Sequence, residues 1–379
     1  MNKRLLAVAV AGAFALPGVA LAQSSVTISG FLKGGFESLS YGNSGKANNS
    51  QTGVVDDSSR IIFNMREDLG GGLAAIGQVD MRLGLDSGAL SAAGNNHVGL
   101  QSKNWGRLFI GRQDLHYFGR ESDLTVRGSL RADSISILAF GGSAVPGGAA
   151  GTVAIANASR TPNVVHYTTP NWGGFSAVVA YSSQPITAAA GAAAEADIGS
   201  GVRKGRAWNF APNFRGKNWG IGWSHWNSKP DAFGALDQRA DRLFGSYSWG
   251  GFKLGLAWDR SKLKAGATGT ETSNRTAWSI PAHYQWGNHG IYGHYSVARD
   301  DKAAVYTGLE TGAKMIALSY AYNFSRRTSA AFTYARIRND TSAAYTLFTS
   351  AALGIGAGTG AIAAGEDPRM WAVTLRHAF

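Results

Sequence analysis

Residues 60–83 read RIIFNMREDLGGGLAAIGQVDMRL, two alternating segments joined by a glycine-rich turn at 68–72. Successive side chains of an extended strand point to opposite faces, so every second residue shares a face. In the first segment the apolar face comprises Ile61, Phe63 and Met65, and the polar face comprises Arg60, Asn64 and Arg66. The second segment sets Leu73, Val79, Met81 and Leu83 against Gln78, Asp80 and Arg82. The pattern predicts a β-hairpin with one face in an apolar medium and the other in water.

The same alternation returns near the C-terminus. One face of residues 313–324 carries Ile316, Leu318, Tyr320, Tyr322 and Phe324, and the last segment repeats the pattern with Trp371, Val373, Leu375 and Phe379. Short turns containing Trp-Gly recur along the chain, at 105–106, 172–173, 219–220, 249–250 and 286–287, and the other connections are long and polar. Short turns on one rim, long loops on the other and aromatic side chains at the rim are typical of a transmembrane β-barrel.

Counting such segments predicts sixteen strands, at 25–39, 59–67, 73–83, 97–103, 107–113, 160–168, 174–182, 205–214, 220–227, 241–248, 252–260, 275–286, 290–299, 313–324, 329–338 and 369–379. An even number puts both termini on the short-turn side, where the first strand can pair with the last and leave no open edge in lipid. The predicted fold class is therefore all-β, a transmembrane antiparallel β-barrel. A soluble β-propeller, the alternative, would show a four-strand repeat, which we do not find.

The composition agrees with a barrel. The 379 residues include 51 Gly, 11 Trp, 13 Tyr and 17 Phe, which favours strands and turns. Cysteine is absent, which excludes a disulfide scaffold. After Ala22 every apolar run is soon broken by a polar residue or glycine, so a membrane location requires strands. The formal charge of +12 predicts anionic surroundings or solutes.

The first 22 residues have the pattern of a secretory signal peptide. Lys3 and Arg4 precede an apolar run at 5–16, and the small-x-small triplet at 20–22 ends with Ala22. We expect cleavage before Gln23, which leaves 23–379 as the barrel domain. An N-terminal membrane anchor, the alternative, needs about 20 apolar residues and no adjacent cleavage signal.

Several motifs carry a family resemblance. Ser59-Arg60-Ile61 leads to the turn EDLGGGL at 67–73, Gly111-Arg112-Gln113 ends the fifth predicted strand, YNFSRRT occupies 322–328, and the chain ends with Phe379. In order and spacing these motifs resemble the Gram-negative trimeric porins, especially the general porins of β-proteobacteria. The resemblance covers essentially the whole chain after the signal peptide.

The resemblance implies a homotrimer in the bacterial outer membrane, with one water-filled pore per subunit for small hydrophilic solutes. It implies contact with outer-membrane lipids and lipopolysaccharide, and it makes Phe379 the signal presented to the barrel-assembly machinery. The connection between Gln113 and Ser159 is longer than a compact domain normally tolerates. By resemblance it is the third external loop, folded into the lumen, where it narrows an otherwise wide hole.

Three arginines fall where such porins place a basic cluster opposite this loop: Arg60, Arg112 and Arg160. Arg60 and Arg160 also lie on predicted inward faces. Arg112 shares parity with the outward residues Leu108 and Ile110, so its placement requires a bulge or the end of the strand. Parity adds further basic lumen candidates, namely Lys33, Arg66, Arg82 and Arg376. Because guanidinium groups stay charged at any working pH, such a cluster predicts a preference for small anions.

The loop offers four carboxylates as acidic partners of the constriction: Asp114, Glu121, Asp123 and Asp133. The Pro-Glu-Phe-Gly signature of the family is missing, and the loop instead carries Arg120, Arg127 and Arg131. This departure predicts a more positive constriction than in cation-tolerant relatives. It also leaves open where the loop tip lies.

Other functional classes lack support. The sequence has no catalytic motif such as G-x-S-x-G or H-E-x-x-H, its eight histidines show no metal-ligand spacing, and we expect neither enzymatic activity nor a cofactor or metal. Basic residues are spread along the strands and not grouped in a patch, which argues against nucleic-acid binding. A passive porin and a substrate-specific channel for small anions, such as phosphate or organic acids, both remain open. An adhesin or antigen role of the loops would be additional.

Overall fold

A computed structural model describes residues 24–42, 50–116, 134–138, 140–143, 151–154, 158, 160–185, 205–230, 236–347 and 362–379. The predicted signal peptide lies outside these residues, as do Glu121, Asp123 and Asp133 and the loop arginines Arg120, Arg127 and Arg131. Within the described residues, no helix has the length and apolar character needed to cross a bilayer.

Sixteen strands of the described chain form one antiparallel sheet, and two of these strands are each built from two segments. They are β1 Ser25–Gly42, β2 Ser50–Asp56 with Arg60–Gly70, β3 Leu73–Leu83, β4 Leu90–Ser91 with Asn96–Ser102, β5 Gly106–Gln113, β6 Thr161–Thr168, β7 Phe175–Ser182, β8 Arg206–Arg215, β9 Trp219–Lys229, β10 Leu236–Trp249, β11 Phe252–Ala265, β12 Glu271–Trp286, β13 His289–Ala298, β14 Ala313–Asn323, β15 Thr328–Asn339 and β16 Asp367–Ala378. Between β5 and β6 lie the four-residue helix α1, Ile135–Leu138, and a small hairpin of Phe140–Ser143 with Gly151–Ala154.

The barrel closes where β16 pairs with β1, in a register that runs from Phe31 opposite Ala378 to Gly42 opposite Asp367. The backbone of Phe379 continues the seam, because its N–H donates to Gly30 O and its carbonyl accepts from Gly30 N–H, both at 3.2 Å. Each remaining strand pairs with its neighbours in sequence. The predicted closed sixteen-stranded barrel is therefore confirmed.

The observed strands extend further toward the long connections than predicted. The second strand starts at Ser50 and not at Ser59, and it is interrupted at 57–59, where Ser58 has a φ of 61°. The strands β10 and β12 start at Leu236 and Glu271, five and four residues before the predicted starts. Beyond the lipid both faces of a strand meet water, so the polar and apolar alternation that locates strands is lost there.

Aromatic side chains line the short-turn rim, as predicted. Trp249 stacks on Phe252 at 5.6 Å between ring centroids, Phe252 on Tyr284 at 4.1 Å, and Tyr284 on Trp286 at 5.3 Å. These rings are 37–47% exposed on an isolated subunit, which suits the amphipathic level of a membrane interface.

The helix α1 of the connection between β5 and β6 lies against the inner wall of the barrel. The side chains of Ile137 and Leu138 in α1 are fully buried, and they belong to one hydrophobic cluster with small inward residues of β12 to β15 that include Ala277, Ala317 and Ala335. Small side chains leave room for a second layer inside a barrel. Insertion of the whole loop stays a prediction, because residues 117–133 lie outside the described part of the chain.

Candidate pore constriction

Neighbouring strands β2 and β3 carry the first part of the candidate site. Arg60 and Arg82 lie directly opposite each other in the register, on the polar faces predicted from the sequence. Both guanidinium groups share the carboxylate of Asp80, at 2.8 Å for Arg82 and 4.0 Å for Arg60. Asp80 is only 2% exposed. The two arginines therefore hold a buried carboxylate in place, and because two positive charges face one negative charge, a net positive charge remains.

The strands β5 and β6 carry the second part. The Arg112 Nε donates to the carbonyl of Arg160 at 3.0 Å, and the Arg160 N–H donates to the Asp114 carboxylate at 2.7 Å. The register between these strands is broken between Thr161 and Val164, and Arg160 has a φ of 46°. Arg112 has outward parity, so it could join the inward arginines only beside a bulge or at the end of its strand. This irregularity, at the end of β5, meets that requirement. Arg112 consequently interacts electrostatically with Arg160, Asp114 and Arg82.

Phe31 of β1 links the cluster across the barrel seam. The guanidinium carbons of Arg60 and of Arg376 on β16 lie 4.8 Å and 4.9 Å from the centroid of its ring. Lys33 lies opposite Arg376 in the register and forms an ion pair with Asp57. Such cation–π contacts hold charged groups at a fixed position without neutralising them.

We call the resulting group of inward cations the basic cluster: Lys33, Arg60, Arg82, Arg112, Arg160 and Arg376. Of the predicted basic candidates only Arg66 lies outside it, since its exposed guanidinium donates to Gln101 at 3.3 Å. In the described part of the chain, these six cations are accompanied by the carboxylates of Asp57, Asp80 and Asp114. Asp114 alone was predicted as an acidic partner. The inward parity of Asp80, next to Arg82 on β3, was the sequence signal that could have identified it.

The opposite wall holds the connection between β5 and β6 through Arg275 of β12. Its guanidinium donates to the carbonyls of Ile137 and Leu138 at 2.7 and 2.6 Å and to Ser261 Oγ at 3.1 Å. Arg275 is 1% exposed. The charged side chain therefore satisfies the orphan carbonyls of α1, whose four residues are too few to pair them internally.

A second contact holds the start of the same connection. Arg242 of β10 donates to Asp259 at 2.9 Å and to the carbonyl of His116 at 3.2 Å, and the imidazole of His116 lies 2.9 Å from Ser224 Oγ and 3.5 Å from Asp259. Burial lowers the pKa of His116, against the opposing effect of its contact with Asp259. The imidazole is thus neutral at pH 7. The sequence did not single out these residues. The parity of Ser224, Arg242 and Asp259 shows only that their side chains point inward, and His116 lies beyond the end of β5.

The chain is similar to known proteins along its whole length. A family model described as Gram-negative porin matches residues 7–342. Outer membrane porin protein 32 of Delftia acidovorans is 29% identical over the full length of both chains, and the major outer membrane protein P.IB of Neisseria gonorrhoeae is 26% identical over 87% of this chain and 92% of its own.

Solved structures share the fold. The anion-selective porin from Comamonas acidovorans superposes with a TM-score of 0.71 at 24% identity, covering 94% of this chain and all of that one. The outer-membrane expressed OmpT of Vibrio cholerae gives a TM-score of 0.64 at 13% identity, with 94% and 98% covered.

Proposed function

The chain belongs to the Gram-negative porin family, and from that premise we propose that it forms an anion-preferring channel for passive diffusion of small hydrophilic solutes. Its full-length relatives are outer-membrane porins, so the chain is a channel protein of the bacterial outer membrane. We propose that the basic cluster lines the constriction and that the chain has no catalytic role.

The excess of cations in the basic cluster supports the anion preference. Its four arginines other than Arg376 lie on β2, β3 and β5 and directly before β6, and they share two carboxylates, Asp80 and Asp114. A guanidinium keeps its charge in a narrow pore, where fixed positive charge lowers the barrier for anions and raises it for cations. The anion selectivity named for the Comamonas acidovorans porin, which has the same fold, is consistent with this proposal.

A planar bilayer recording tests the selectivity. Under a KCl gradient the unmodified protein is expected to give a reversal potential that indicates Cl⁻ preference. Combining Arg60→Gln, Arg112→Gln and Arg160→Gln is expected to move that potential toward zero. The matched control is Arg66→Gln, which removes an inward arginine outside the basic cluster and is expected to leave the potential nearly unchanged. Cation preference of the unmodified protein would refute the anion assignment.

The outer surface supports the proposed lipid partners. On β8, β11, β15 and β16 an exposed aromatic residue is followed, two positions toward the long connections, by a cation: Trp208 by Arg206, Trp258 by Arg260, Tyr334 by Arg336 and Trp371 by Arg369. Lys229, Arg239, Lys262, Lys264, Lys314 and Arg338 share this outward orientation. We call these ten cations the outer collar. Its level beyond the aromatic residues suits the phosphate groups of outer-leaflet lipid, lipopolysaccharide included.

The outer collar is confined to one side of the barrel, which supports the homotrimer. On β1 to β7 no outward-facing position of the described residues carries a lysine, and the arginine with outward parity, Arg112, belongs to the basic cluster. Exposed apolar side chains such as Val98 and Ile110 cover that side, at 61% and 56% exposure. We propose that β1 to β7 face the other subunits and that β8 to β16 face lipid.

Single cysteines test this orientation, because the chain has none of its own. Val98→Cys on β4 is expected to be crosslinked between subunits by a short bis-maleimide. Ile316→Cys on β14, where the residue is 53% exposed against 61% for Val98, is the matched control and is expected to stay uncrosslinked. Crosslinking of the second variant and not the first would reverse the assignment.

A further inference from the structure

A cleft of about 270 Å³ opens on the inner wall between β5 and β10, on the short-turn side of the start of the long connection. Its wall includes Arg107, Phe109, His166, Asn209 and Phe244. We call it the vestibule cleft. We propose that the vestibule cleft binds small aromatic carboxylates, which adds a retention site to the proposed anion channel and rests on that function.

Arg107 supplies the charge. It lies on the inner face at the start of β5, with its guanidinium carbon 5.3 Å from the centroid of the Phe109 ring. Its Nε is buried without a hydrogen-bond partner, and no described carboxylate forms an ion pair with it. The side chain as a whole is only partly buried, so the guanidinium offers an unpaired positive charge to an incoming acceptor. Arg112 is five residues further along the strand, roughly 17 Å away, so this cation is separate from the constriction.

The Phe109 ring, 2% exposed, is fixed at the base of the cleft. The Phe109 ring is stacked between His97 at 4.2 Å and His166 at 4.3 Å, with interplanar angles of 27° and 10°. Other cleft residues add apolar surface: Leu115, Val178, Ala211, Pro212 and Phe244. The cleft wall also includes the carboxylate of Asp114, seven residues beyond Arg107, which accepts the Arg160 N–H at 2.7 Å. Arg107 beside these apolar residues is complementary to a ring that bears one carboxylate. Its volume is just below the range of about 300–1,000 Å³ usual for ligand pockets, which restricts the ligand to a single small ring.

The two asparagines of the cleft offer few free donors to an inorganic oxyanion. The Asn209 amide donates to Ser224 Oγ at 3.0 Å and to the His225 carbonyl at 2.8 Å, and the Asn213 amide donates to the Ser176 carbonyl at 3.0 Å. Both amide hydrogens of Asn209 and one of Asn213 are therefore used within the wall. Phosphate requires several converging donors, whereas a carboxylate is satisfied by one guanidinium fork.

Binding of a ligand to the vestibule cleft can be measured as a block of the KCl current through single channels. Benzoate added to the short-turn side of single channels is expected to reduce the current in a saturable manner, more strongly than acetate, inorganic phosphate or neutral benzamide at equal concentration. Arg107→Gln is expected to raise the half-blocking benzoate concentration at least about tenfold, because it removes a charge-assisted contact. Phe109→Leu is expected to weaken benzoate block and leave acetate unchanged. Arg66→Gln is the matched control and is expected to behave as the unmodified protein.

The outcomes separate this site from the proposed channel function. Arg107→Gln is expected to keep most of the Cl⁻ preference, since the basic cluster is intact, and its heat-modifiable gel mobility reports a folded barrel. Benzoate block that is no stronger than acetate block, or that survives Arg107→Gln in a folded barrel, would overturn the vestibule site. Phosphate block of equal strength that depends on Arg107 would overturn the aromatic class. Cation preference of the unmodified channel would instead refute the proposed function.

Discussion

Replacing Arg275 by methionine tests whether this buried arginine holds α1 against the inner wall. Methionine retains much of the apolar length of the side chain but removes the hydrogen bonds to the carbonyls of Ile137 and Leu138 at 2.7 and 2.6 Å. Hydrogen bonds from a charged donor contribute about 1.5–3 kcal/mol each, so the variant loses about 3–6 kcal/mol of attachment.

The apolar side chains of α1 provide the remaining attachment. Ile137 and Leu138 are fully buried, and burial of such a side chain contributes about 1.5–3 kcal/mol, or about 3–6 kcal/mol for the two. The intact protein therefore detaches α1 too rarely to record. In Arg275→Met the remaining attachment allows detachment for a fraction of time on the order of 10⁻² to 10⁻⁴.

Single-channel recording detects this change. Arg275→Met is expected to show brief conductance excursions and higher open-channel noise, with the mean conductance little changed. The matched control is Arg260→Met, which replaces an exposed arginine on the adjacent strand β11 and is expected to be quiet. If Arg275→Met were as quiet as the unmodified channel, Arg275 would not hold the connection against the wall, and the energies assigned to its two hydrogen bonds would be wrong.

Three more predictions concern the anchor, the seam and assembly. Burial lowers the pKa of His116, so protonation of its imidazole weakens the buried contact. Open-channel noise is therefore expected to rise as the pH falls below about 6.5 toward that lowered pKa. His116→Gln is expected to remove this pH dependence. Gly35→Val is expected to lower the yield of heat-modifiable barrel on gels, since a Cβ at Gly35 would lie 2.2 Å from the Val373 carbonyl oxygen; an unchanged yield would contradict this geometry. Deleting Phe379 is expected to reduce the amount of protein assembled in the outer membrane of expressing cells, and normal assembly would argue against its proposed role as the assembly signal.

The strands could be predicted because lipid and water impose a strict alternation on a barrel wall. Where one face of a strand met lipid along almost its whole length, the agreement was close: the predicted strand 313–324 matched the observed Ala313–Asn323 to within a residue. Where the strands extend past the predicted bounds, as at 50–56, polar and apolar residues no longer alternate and the period of two is lost. The interruption at 57–59 depends on the backbone of Ser58, which a hydropathy pattern does not register.

The site was predictable only in part, for a related reason. Parity placed Arg60, Arg82 and Arg376 on inward faces, but it placed Arg112 outward, because a period of two assumes a regular strand and β5 ends beside a bulge. Parity also gives direction without giving partners. In the sequence Arg275 was one inward residue among many. Its role depends on the carbonyl groups of Ile137 and Leu138, which lie 138 and 137 positions earlier in the chain.

The seam between β1 and β16 also determines when the protein becomes a barrel during its synthesis. The Arg369 Nε donates to Ser40 Oγ across 329 residues, and every pairing of β16 with β1 has a comparable separation. An emerging polypeptide can form hairpins early, but its first strand has no partner on one side until the final dozen residues arrive. Exported chains therefore keep exposed strand edges until β16 is available. A factor that prevents association between chains is needed until translation and export are complete.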